Sequence, residues 1–332
     1  MTQAKLYDVT LRDGNHALRH TLSSSFVSEY CKKADESGVW AVEVGHGNGL
    51  GASSYLVGKS AESDETLLKA AKDSLQKTKL AVHVIPGFAT IKRDLIPAID
   101  HGVDIFRIAT HVSEADVSQK HIEFLANRGL TVHGVLMMSH MIDVQGLVRE
   151  ASLMKNYGAS AVILMDSAGY FIPSDVAERI TAIRDSLDLE VGFHAHNNLG
   201  LGVGNALTAI HQGASVIDGA SMGLGAGAGN AQLESIVAAG LRESSINLEV
   251  SNFLGLSTLV ENTYWDKLPR TTSSSTQSGL AGVFSGYAPQ VYAAAEEFGL
   301  DSKILWSEVA SRKLVAGQES MIREIAQDLM NL

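Results

Sequence analysis

The sequence contains a single cysteine, Cys31, so it cannot form an internal disulfide. The surrounding residues, FVSEYCKKADESG, have a helical spacing that places this thiol on the apolar face, where it is expected to pack. The N-terminus lacks a basic region followed by an apolar core, and no apolar run is long enough to cross a bilayer. These absences predict a cytoplasmic protein without a membrane segment.

Basic residues are fewer than acidic ones. Lys and Arg total 26 against 37 Asp and Glu, which gives a formal net charge of -11. This balance argues against nucleic acid and anionic membranes as partners and favours a small molecule. Low-complexity tracts are absent as well, and 332 residues can bury a large core, either as one big domain or as a large domain with a smaller one attached.

Short β-branched runs alternate with longer amphipathic segments along most of the chain. Many amphipathic segments end at a glycine, the residue expected at left-handed helix caps: Gly38, Gly102, Gly129, Gly158 and Gly213. The strand-like runs are KLYDVTL, WAVEVG, LAVHVIP, VDIFRIAT, TVHGVLMM, SAVILMD, EVGFHAH and SVIDGAS. This rhythm predicts an α/β fold.

The size of the repeat favours one α/β architecture. Eight strand–helix units over about 240 residues match a (β/α)8 TIM barrel, whose catalytic groups lie at the carboxyl ends of the strands. A doubly wound open sheet is the competing topology, but the first strand is not followed by G-x-G-x-x-G. From about residue 250 the rhythm gives way to helical segments. We therefore expect a catalytic barrel over residues 1–250 and a small α-helical C-terminal domain over 251–332.

Polar residues follow nearly every strand-like run, at the end where a barrel places its catalytic groups. They are Arg12, Asp13 and His16; Glu43 and His46; His111; His140; Asp166 and Ser167; and His194 and His196. Taken singly, each has an ordinary structural explanation, as a carboxylate that holds a loop or a hydrogen-bonded buried histidine. Their shared position predicts one site at the mouth of the barrel.

The first strand-like run ends in YDVTLRDGNHALRH, residues 7–20. A polar surface turn would account for the Asp-Gly pair and for Asn15, because these residues tolerate turn geometry. It would not account for Arg12 and His16.

The segment FHAHNN, residues 193–198, carries the clearest metal-binding pattern. Side chains two apart on a strand share a face, so His194 and His196 are presented together. A pair of packing histidines is the alternative. Asp13, at the end of the first strand, would add an oxygen across the mouth, and the set suits Mn²⁺, Mg²⁺ or Co²⁺ acting as a Lewis acid. Without a nearby cysteine, a structural zinc site is not expected.

The glycine-rich run GLGAGAGN, residues 223–230, permits two interpretations. Its backbone amides could cradle a phosphate, or the run could form a tight loop against the barrel mouth.

Several long motifs, in order along nearly the whole chain, jointly resemble the metal-dependent 4-hydroxy-2-oxovalerate aldolases. This family belongs to the wider group of barrel lyases and synthases that includes 3-hydroxy-3-methylglutaryl-CoA lyase. The motifs are DVTLRDGNH, VEVGHGNGLGASS, ATHVSEADVSQKHIE, LMMSHM, DSAGY, FHAHNNLGLGVGNALTAI, IDGASMGLGAGAGN and GQESMI.

The resemblance implies a retro-aldol cleavage that yields pyruvate and an aldehyde. A divalent ion, expected to be Mn²⁺, would be held by Asp13, His194 and His196 and chelated by a 2-oxo acid. The ion and Arg12 would stabilise the pyruvate enolate, and His16 would be the general base. Ser167 looks like the family's contact to the substrate carboxylate.

A Claisen-type synthase or acyl-CoA lyase on the same barrel is the nearest alternative. Such relatives usually read D-x-T-L-R-D-G, one residue, then Gln, whereas this chain has Asn15 and His16. A non-catalytic barrel that serves as a scaffold is a third interpretation. It would be expected to have lost at least one of the residues Arg12, Asp13, His16, His194 and His196, and all are present.

The chain departs from the family at a few positions. Phe284 stands in AGVFSGY where the aldolases commonly have a substrate-facing Tyr, so a phenol hydroxyl is missing, and Tyr287 is a candidate replacement one helical turn on. A different acceptor aldehyde or C4 stereochemistry is the other explanation. Asn48 replaces a usual Asp, and Ala316 replaces the first of two glycines.

The family also suggests macromolecular partners. Relatives pair with an acylating aldehyde dehydrogenase that receives the aldehyde through an internal channel. The apolar helices after residue 250 could contact such a partner, or could form a homo-oligomer.

Overall fold

The structure, a computed structural model, describes residues 4–314, 318 and 320–330. Ala316 lies outside the described residues. Among the described helices, none has both the length and the apolar character needed to cross a membrane.

Eight parallel strands close into a barrel in chain order, so the predicted (β/α)8 topology is confirmed and the open sheet is wrong. The barrel closes where β1 pairs with β8, from Lys5 opposite Val216 to Asp8 opposite Gly219. The strands are β1 (Lys5–Asp8), β2 (Ala41–Glu43), β3 (Lys79–Val84), β4 (Ile105–His111), β5 (Thr131–Met137), β6 (Ala161–Asp166), β7 (Glu190–Ala195) and β8 (Val216–Gly219).

Alternation along the strands separates two hydrophobic clusters. Residues such as Leu80 and Val82 of β3 face outward and join the large cluster between barrel and helices. Ala81, between them, points inward and joins a smaller cluster inside the barrel. The inward face therefore carries both the interior packing and, at its upper end, the candidate site.

Helices surround the barrel and also make up most of the C-terminal part of the chain. They are α1 (Gly14–Ala17), α2 (Ser24–Ser37), α3 (Asp64–Lys72), α4 (Ile96–Asp100), α5 (Gln119–Ala126), α6 (Val144–Tyr157), α7 (Pro173–Ser186), α8 (Gly202–His211), α9 (Leu233–Arg242), α10 (Val250–Tyr264), α11 (Ser273–Ala281), α12 (Ala288–Phe298), α13 (Ser302–Ser311) and α14 (Met321–Met330). Each glycine expected to close a segment has positive φ, including Gly38 at 83° and Gly158 at 112°.

One predicted helix differs from a regular α-helix. The amphipathic segment that was expected to end at Gly102 begins as a π-helical turn, Ile91–Leu95, and becomes α-helical only from Ile96. Leu95 and Ile96 donate to the carbonyls five residues before them, and Pro97, which has no amide hydrogen, stands in the first turn of the α-helix that follows.

The C-terminal helices α12 to α14 form their own hydrophobic cluster around Trp306. By contrast, α10 packs Phe253, Leu256 and Val260 into the large cluster that also surrounds the barrel. The small helical region expected at the C-terminus is thus present, while the division between residues 250 and 251 stays a prediction.

Candidate active site

The carboxyl end of β1 turns directly into α1, and this turn presents the cation, carboxylate and imidazole singled out in the sequence. Asn15 fastens the turn. Its side-chain amide donates to the carbonyl of Gly45 (3.0 Å), and its side-chain oxygen accepts from the amide of Leu22 (3.3 Å). These hydrogen bonds explain Asn15 as a turn residue. They do not explain Arg12, Asp13 and His16.

Asp13, His194 and His196 meet at the mouth of the barrel. One potential ligand atom from each lies within 4.8 Å of the others, and the three residues are at most 4% exposed. His194 points inward from β7, and His196 follows directly after the last residue of that strand. Their role as metal ligands stays a prediction, but the spacing suits a single ion.

The hydrogen bonding of the two imidazoles also fits an ion. His194 Nδ1 lies 2.9 Å from a carboxylate oxygen of Asp218, and a carboxylate accepts rather than donates, so this contact favours the tautomer with the proton on Nδ1 and the lone pair on Nε2. Within the described part of the chain, His194 Nε2 and His196 Nδ1 are buried without a hydrogen-bond partner. Buried nitrogens without partners are costly unless a ligand satisfies them, and two nitrogens with one carboxylate are suitable donors for a divalent ion.

The glycine-rich run 223–230 lies against the Asp13 carboxylate. The amide of Ala226 (3.2 Å) and the side-chain amide of Asn230 (3.1 Å) both donate to Asp13 Oδ1. A Cβ at Gly225 would stand 2.8 Å from the same oxygen, which explains the need for glycine there. These contacts support the tight-loop interpretation of the run.

Arg12 is buried between two carboxylates. Its Nε donates to Glu43 Oε1 (2.6 Å), and its Nη1 donates to Asp13 and to the carbonyl of Gly47 (3.3 Å). Nη2 is buried and has no hydrogen-bond partner among the described residues. One face of the guanidinium is thus fixed, and one donor remains for a bound molecule.

The same guanidinium keeps its neighbours ionised. Burial opposes ionisation of both carboxyl groups, but the charge of Arg12 outweighs it and holds the pKa of Asp13 well below its usual range. For Glu43, burial is likewise overcome by Arg12 and then Arg107, which lowers the pKa to about 2. Both groups are carboxylates at neutral pH.

His16 lies on α1, half-buried, with its ring against Gly47. A Cβ at Gly47 would stand 2.6 Å from His16 Cε1, so only glycine leaves room for the imidazole. The ring also meets His20 edge-on at 5.3 Å. Burial lowers the pKa of His16, partly offset by Asp13, which favours the neutral imidazole that a general base requires.

Ser167 follows the last residue of β6 and is 6% exposed. Its hydroxyl oxygen accepts from the amide of Met138 (3.0 Å), which fixes the side chain at the mouth. Asp166 accepts from the amides of Tyr170 and Phe171, and burial raises its pKa to about 7. Asp166 therefore shapes the loop that carries Ser167.

The two aromatic residues considered for substrate contact lie in the C-terminal region. The half-buried ring of Phe284 packs edge-on against Tyr287, with ring centroids 5.9 Å apart. Tyr287 is 1% exposed and belongs to the cluster of the C-terminal helices. Between them, Ser285 accepts a hydrogen bond from Asn198, two residues beyond His196. The C-terminal region thus touches the loop that carries a candidate ligand, and substrate contact by Phe284 or Tyr287 stays a prediction.

The remaining strand-end histidines each bond to nearby groups. His46 Nε2 lies 3.1 Å from the Gly58 carbonyl, His111 Nδ1 lies 2.8 Å from the Ser113 hydroxyl, and His140 Nε2 lies 2.9 Å from the Gly282 carbonyl. These contacts agree with the structural explanation of each.

The sequence did not predict the residues that hold the candidate metal ligands in place. Arg107 and Asp218 sit in the strand-like runs VDIFRIAT and SVIDGAS, and Asn230 ends the glycine-rich run. A charged residue at an inward-facing position of a barrel strand was the available signal for Arg107 and Asp218, because apolar residues usually fill that face.

Comparisons with known proteins agree with this geometry. A model described as HMGL-like matches residues 3–260, and one described as the DmpG-like communication domain matches residues 269–331. The 4-hydroxy-2-oxovalerate aldolase of Pectobacterium atrosepticum is 47% identical over 325 residues, covering 98% of this chain and 95% of that protein. The 4-hydroxy-2-oxovalerate aldolase of Burkholderia pseudomallei is 48% identical over 323 residues, covering 97% and 93%.

A solved structure shares the fold. The carboxyl transferase domain of Rhizobium etli pyruvate carboxylase superposes with a TM-score of 0.82 at 15% identity, covering 100% of this chain and 61% of that one. At this identity the likeness concerns the fold alone.

Proposed function

Since the chain belongs to the HMGL-like family and, within it, to the 4-hydroxy-2-oxovalerate aldolases, we propose that it cleaves 4-hydroxy-2-oxo acids to pyruvate and an aldehyde. It is a carbon–carbon lyase, as the resemblance predicted. The observation that carries the proposal is the convergence of Arg12 and the three candidate ligands at one mouth, with His16 on the turn beside them.

The proposed reaction depends on a divalent ion, with Mn²⁺ as the expected ion and Mg²⁺ or Co²⁺ as alternatives. Asp13, His194 and His196 would hold it. When bound, the ion would supply Lewis acidity toward the carboxylate and keto oxygens of the 2-oxo acid.

Arg12 orients the substrate and stabilises charge. Its free Nη2 is a buried, charge-assisted donor, and in the proposed geometry it bonds to the oxygen that becomes negative as the carbon–carbon bond breaks. Glu43 and Asp13 hold the rest of the guanidinium, so the donor is already in place before the substrate arrives. Ser167, which follows the strand next to the one that carries His194, would bind the substrate carboxylate.

His16 is the proposed general base. Its neutral imidazole takes the proton of the C4 hydroxyl, and the C4 oxygen then forms the aldehyde carbonyl as the C3–C4 bond breaks. The bond electrons pass to the three-carbon fragment as pyruvate enolate, which gains a proton at C3 and leaves as pyruvate. A histidine at this position also favours the aldolase over the Claisen-type alternative.

The aldehyde and the partner are the finer parts of the proposal. With Phe284 in place of the usual Tyr, we expect a shifted preference for the aldehyde or for the C4 configuration. The match to the DmpG-like communication domain supports an acylating aldehyde dehydrogenase as partner, and a homo-oligomer through the same helices is also proposed. The cytoplasmic location stays a prediction.

The test is pyruvate release from racemic 4-hydroxy-2-oxo acids of varied chain length, after chelation and again with Mn²⁺ restored. We expect release only with the ion present. Faster condensation of acetyl-CoA with a 2-oxo acid would instead establish the synthase alternative. If a folded, Mn²⁺-loaded chain shows neither activity, the result would favour the non-catalytic scaffold.

A further inference from the structure

Beneath the candidate ligands, the inside of the barrel contains charged residues where apolar ones are usual. Glu43 of β2, Arg107 of β4 and Asp218 of β8 all point inward and are at most 2% exposed. Ions removed from water this completely are retained only when partners satisfy them.

The set forms a continuous series of contacts with alternating charge. Asp218 Oδ2 bonds to His194 Nδ1 (2.9 Å) and to Arg107 Nη1 (2.8 Å). The same Arg107 nitrogen lies 3.6 Å from Glu43 Oε2.

Glu43 in turn accepts from Arg12 Nε (2.6 Å), and Arg12 donates to Asp13. The series thus begins at one candidate ligand, His194, and ends at another, Asp13, whose ligand atoms lie within 4.8 Å of each other. An ion bound there would close the series into a ring.

Each buried group has a distinct effect on the ligands. Asp218 selects the His194 tautomer whose Nε2 lone pair faces the mouth, because a carboxylate accepts and does not donate. Arg107 holds that carboxylate and is itself fixed over the ring of Tyr7, with its guanidinium carbon 4.2 Å from the ring centroid. Neither Arg107 nor Asp218 needs to touch the ion.

We propose that Arg107 and Asp218 are positioning residues for the metal centre, which fix the tautomer and position of His194 and connect it through Glu43 and Arg12 to Asp13. This inference rests on the ligand set in the proposed function. A purely structural role, in which the buried charges only hold the strands together, is the competing explanation.

Metal affinity separates the two explanations. The dissociation constant of Mn²⁺ is measured on the full chain by electron paramagnetic resonance of the free ion, with circular dichroism and thermal denaturation recorded for each variant. The test variants are Asp218→Asn and Arg107→Lys, which keep shape and charge respectively. Asp8→Asn is the matched control, since Asp8 is also a fully buried carboxylate on a barrel strand but bonds to Thr10 and Tyr30.

We expect Asp218→Asn to weaken Mn²⁺ binding by about 10- to 100-fold, the usual range for a residue that orients a metal ligand. Arg107→Lys should weaken binding in the same direction, and Asp8→Asn should leave it within about twofold. Unchanged affinity in folded Asp218→Asn, or an equal loss in Asp8→Asn, would overturn the inference while leaving the proposed function in place. Failure of the unsubstituted chain to bind Mn²⁺, Mg²⁺ or Co²⁺ would instead refute the ligand set itself.

If Asp218→Asn does not fold, the unsubstituted chain still provides a test. Long-range ¹⁵N–¹H spectra of the histidine rings report tautomers, and the His194 signals are assigned by their loss in His194→Gln. We expect the proton on Nδ1 in the metal-free chain. A proton on Nε2 would contradict the positioning role of Asp218.

Discussion

Replacing Arg12 by lysine should reduce turnover strongly while the chain keeps its metal and its fold. The guanidinium uses Nε and Nη1 to bind Glu43, Asp13 and the Gly47 carbonyl, and Nη2 remains as the free donor. A lysine ammonium preserves the charge but is a compact group without the fork. The ammonium can bind the carboxylates of Glu43 and Asp13, or it can bind the substrate, but it cannot bind all three in the geometry of the guanidinium.

The magnitude follows from the single donor that is lost. Removing one preorganised donor to an oxyanion raises the barrier by about 2.7–4 kcal/mol, which corresponds to a fall in kcat of about 10²- to 10³-fold. Replacing Arg12 by alanine would remove the charge as well. The buried Glu43 would then lose one partner, at a cost of about 3–5 kcal/mol in the free energy of unfolding. Lysine is therefore a cleaner replacement than alanine.

The assay couples pyruvate to lactate dehydrogenase at saturating Mn²⁺ and records kcat and KM separately. We expect the loss mainly in kcat, because the donor acts on charge that develops in the transition state. Arg19→Lys is the control, since Arg19 is an exposed arginine on the same segment. A kcat for Arg12→Lys within about threefold of the unsubstituted chain would refute the role assigned to Nη2.

Three further predictions concern the base and the aromatic position. His16→Ala should lower kcat by about 10²- to 10⁴-fold with Mn²⁺ affinity unchanged, and a parallel loss of Mn²⁺ binding would contradict a role as base alone. Because burial lowers the pKa of His16, the base stays neutral to more acidic pH, so the acid limb of kcat/KM should lie below pH 6.5; a limb above 6.5 would contradict this. Phe284→Tyr should change the ratio of kcat/KM for the two C4 enantiomers by roughly tenfold, as one gained hydrogen bond allows, and an unchanged ratio would exclude contact with that part of the substrate.

The fold was accessible from the sequence because its signal is local. Each strand-like run and each glycine cap is set by neighbouring residues, and the closed barrel follows from repeating the same unit. Two elements differ from this simple pattern, one at a proline and one through packing against distant residues. The change from π-helical to α-helical winding comes just before Pro97, and α10 packs Phe253 and Leu256 into the barrel's cluster.

Half of the candidate site was accessible for a similar reason. The presentation of His194 and His196 on one face depends only on their spacing along β7, and Asp13 was placed by its position after β1. The hydrogen bonds of Asn15 were consistent with turn chemistry. The pairing of the two histidines required no knowledge of the rest of the barrel, whereas the approach of Asp13 followed from the expected closure of the barrel.

The supporting residues were not accessible because they pair across the closed barrel. Arg107 and Asp218 are 111 residues apart, and Asp13 meets Asn230 over 217 residues. Such contacts depend on shear and register, which determine whether an inward-facing charge meets a partner or an apolar neighbour. A charged residue in a strand-like run is therefore ambiguous in the sequence, whereas the closed barrel shows that the two charges of this pair lie 2.8 Å apart, Nη1 to Oδ2. The spacing of the candidate ligands thus depends on a register that no single segment of the chain encodes.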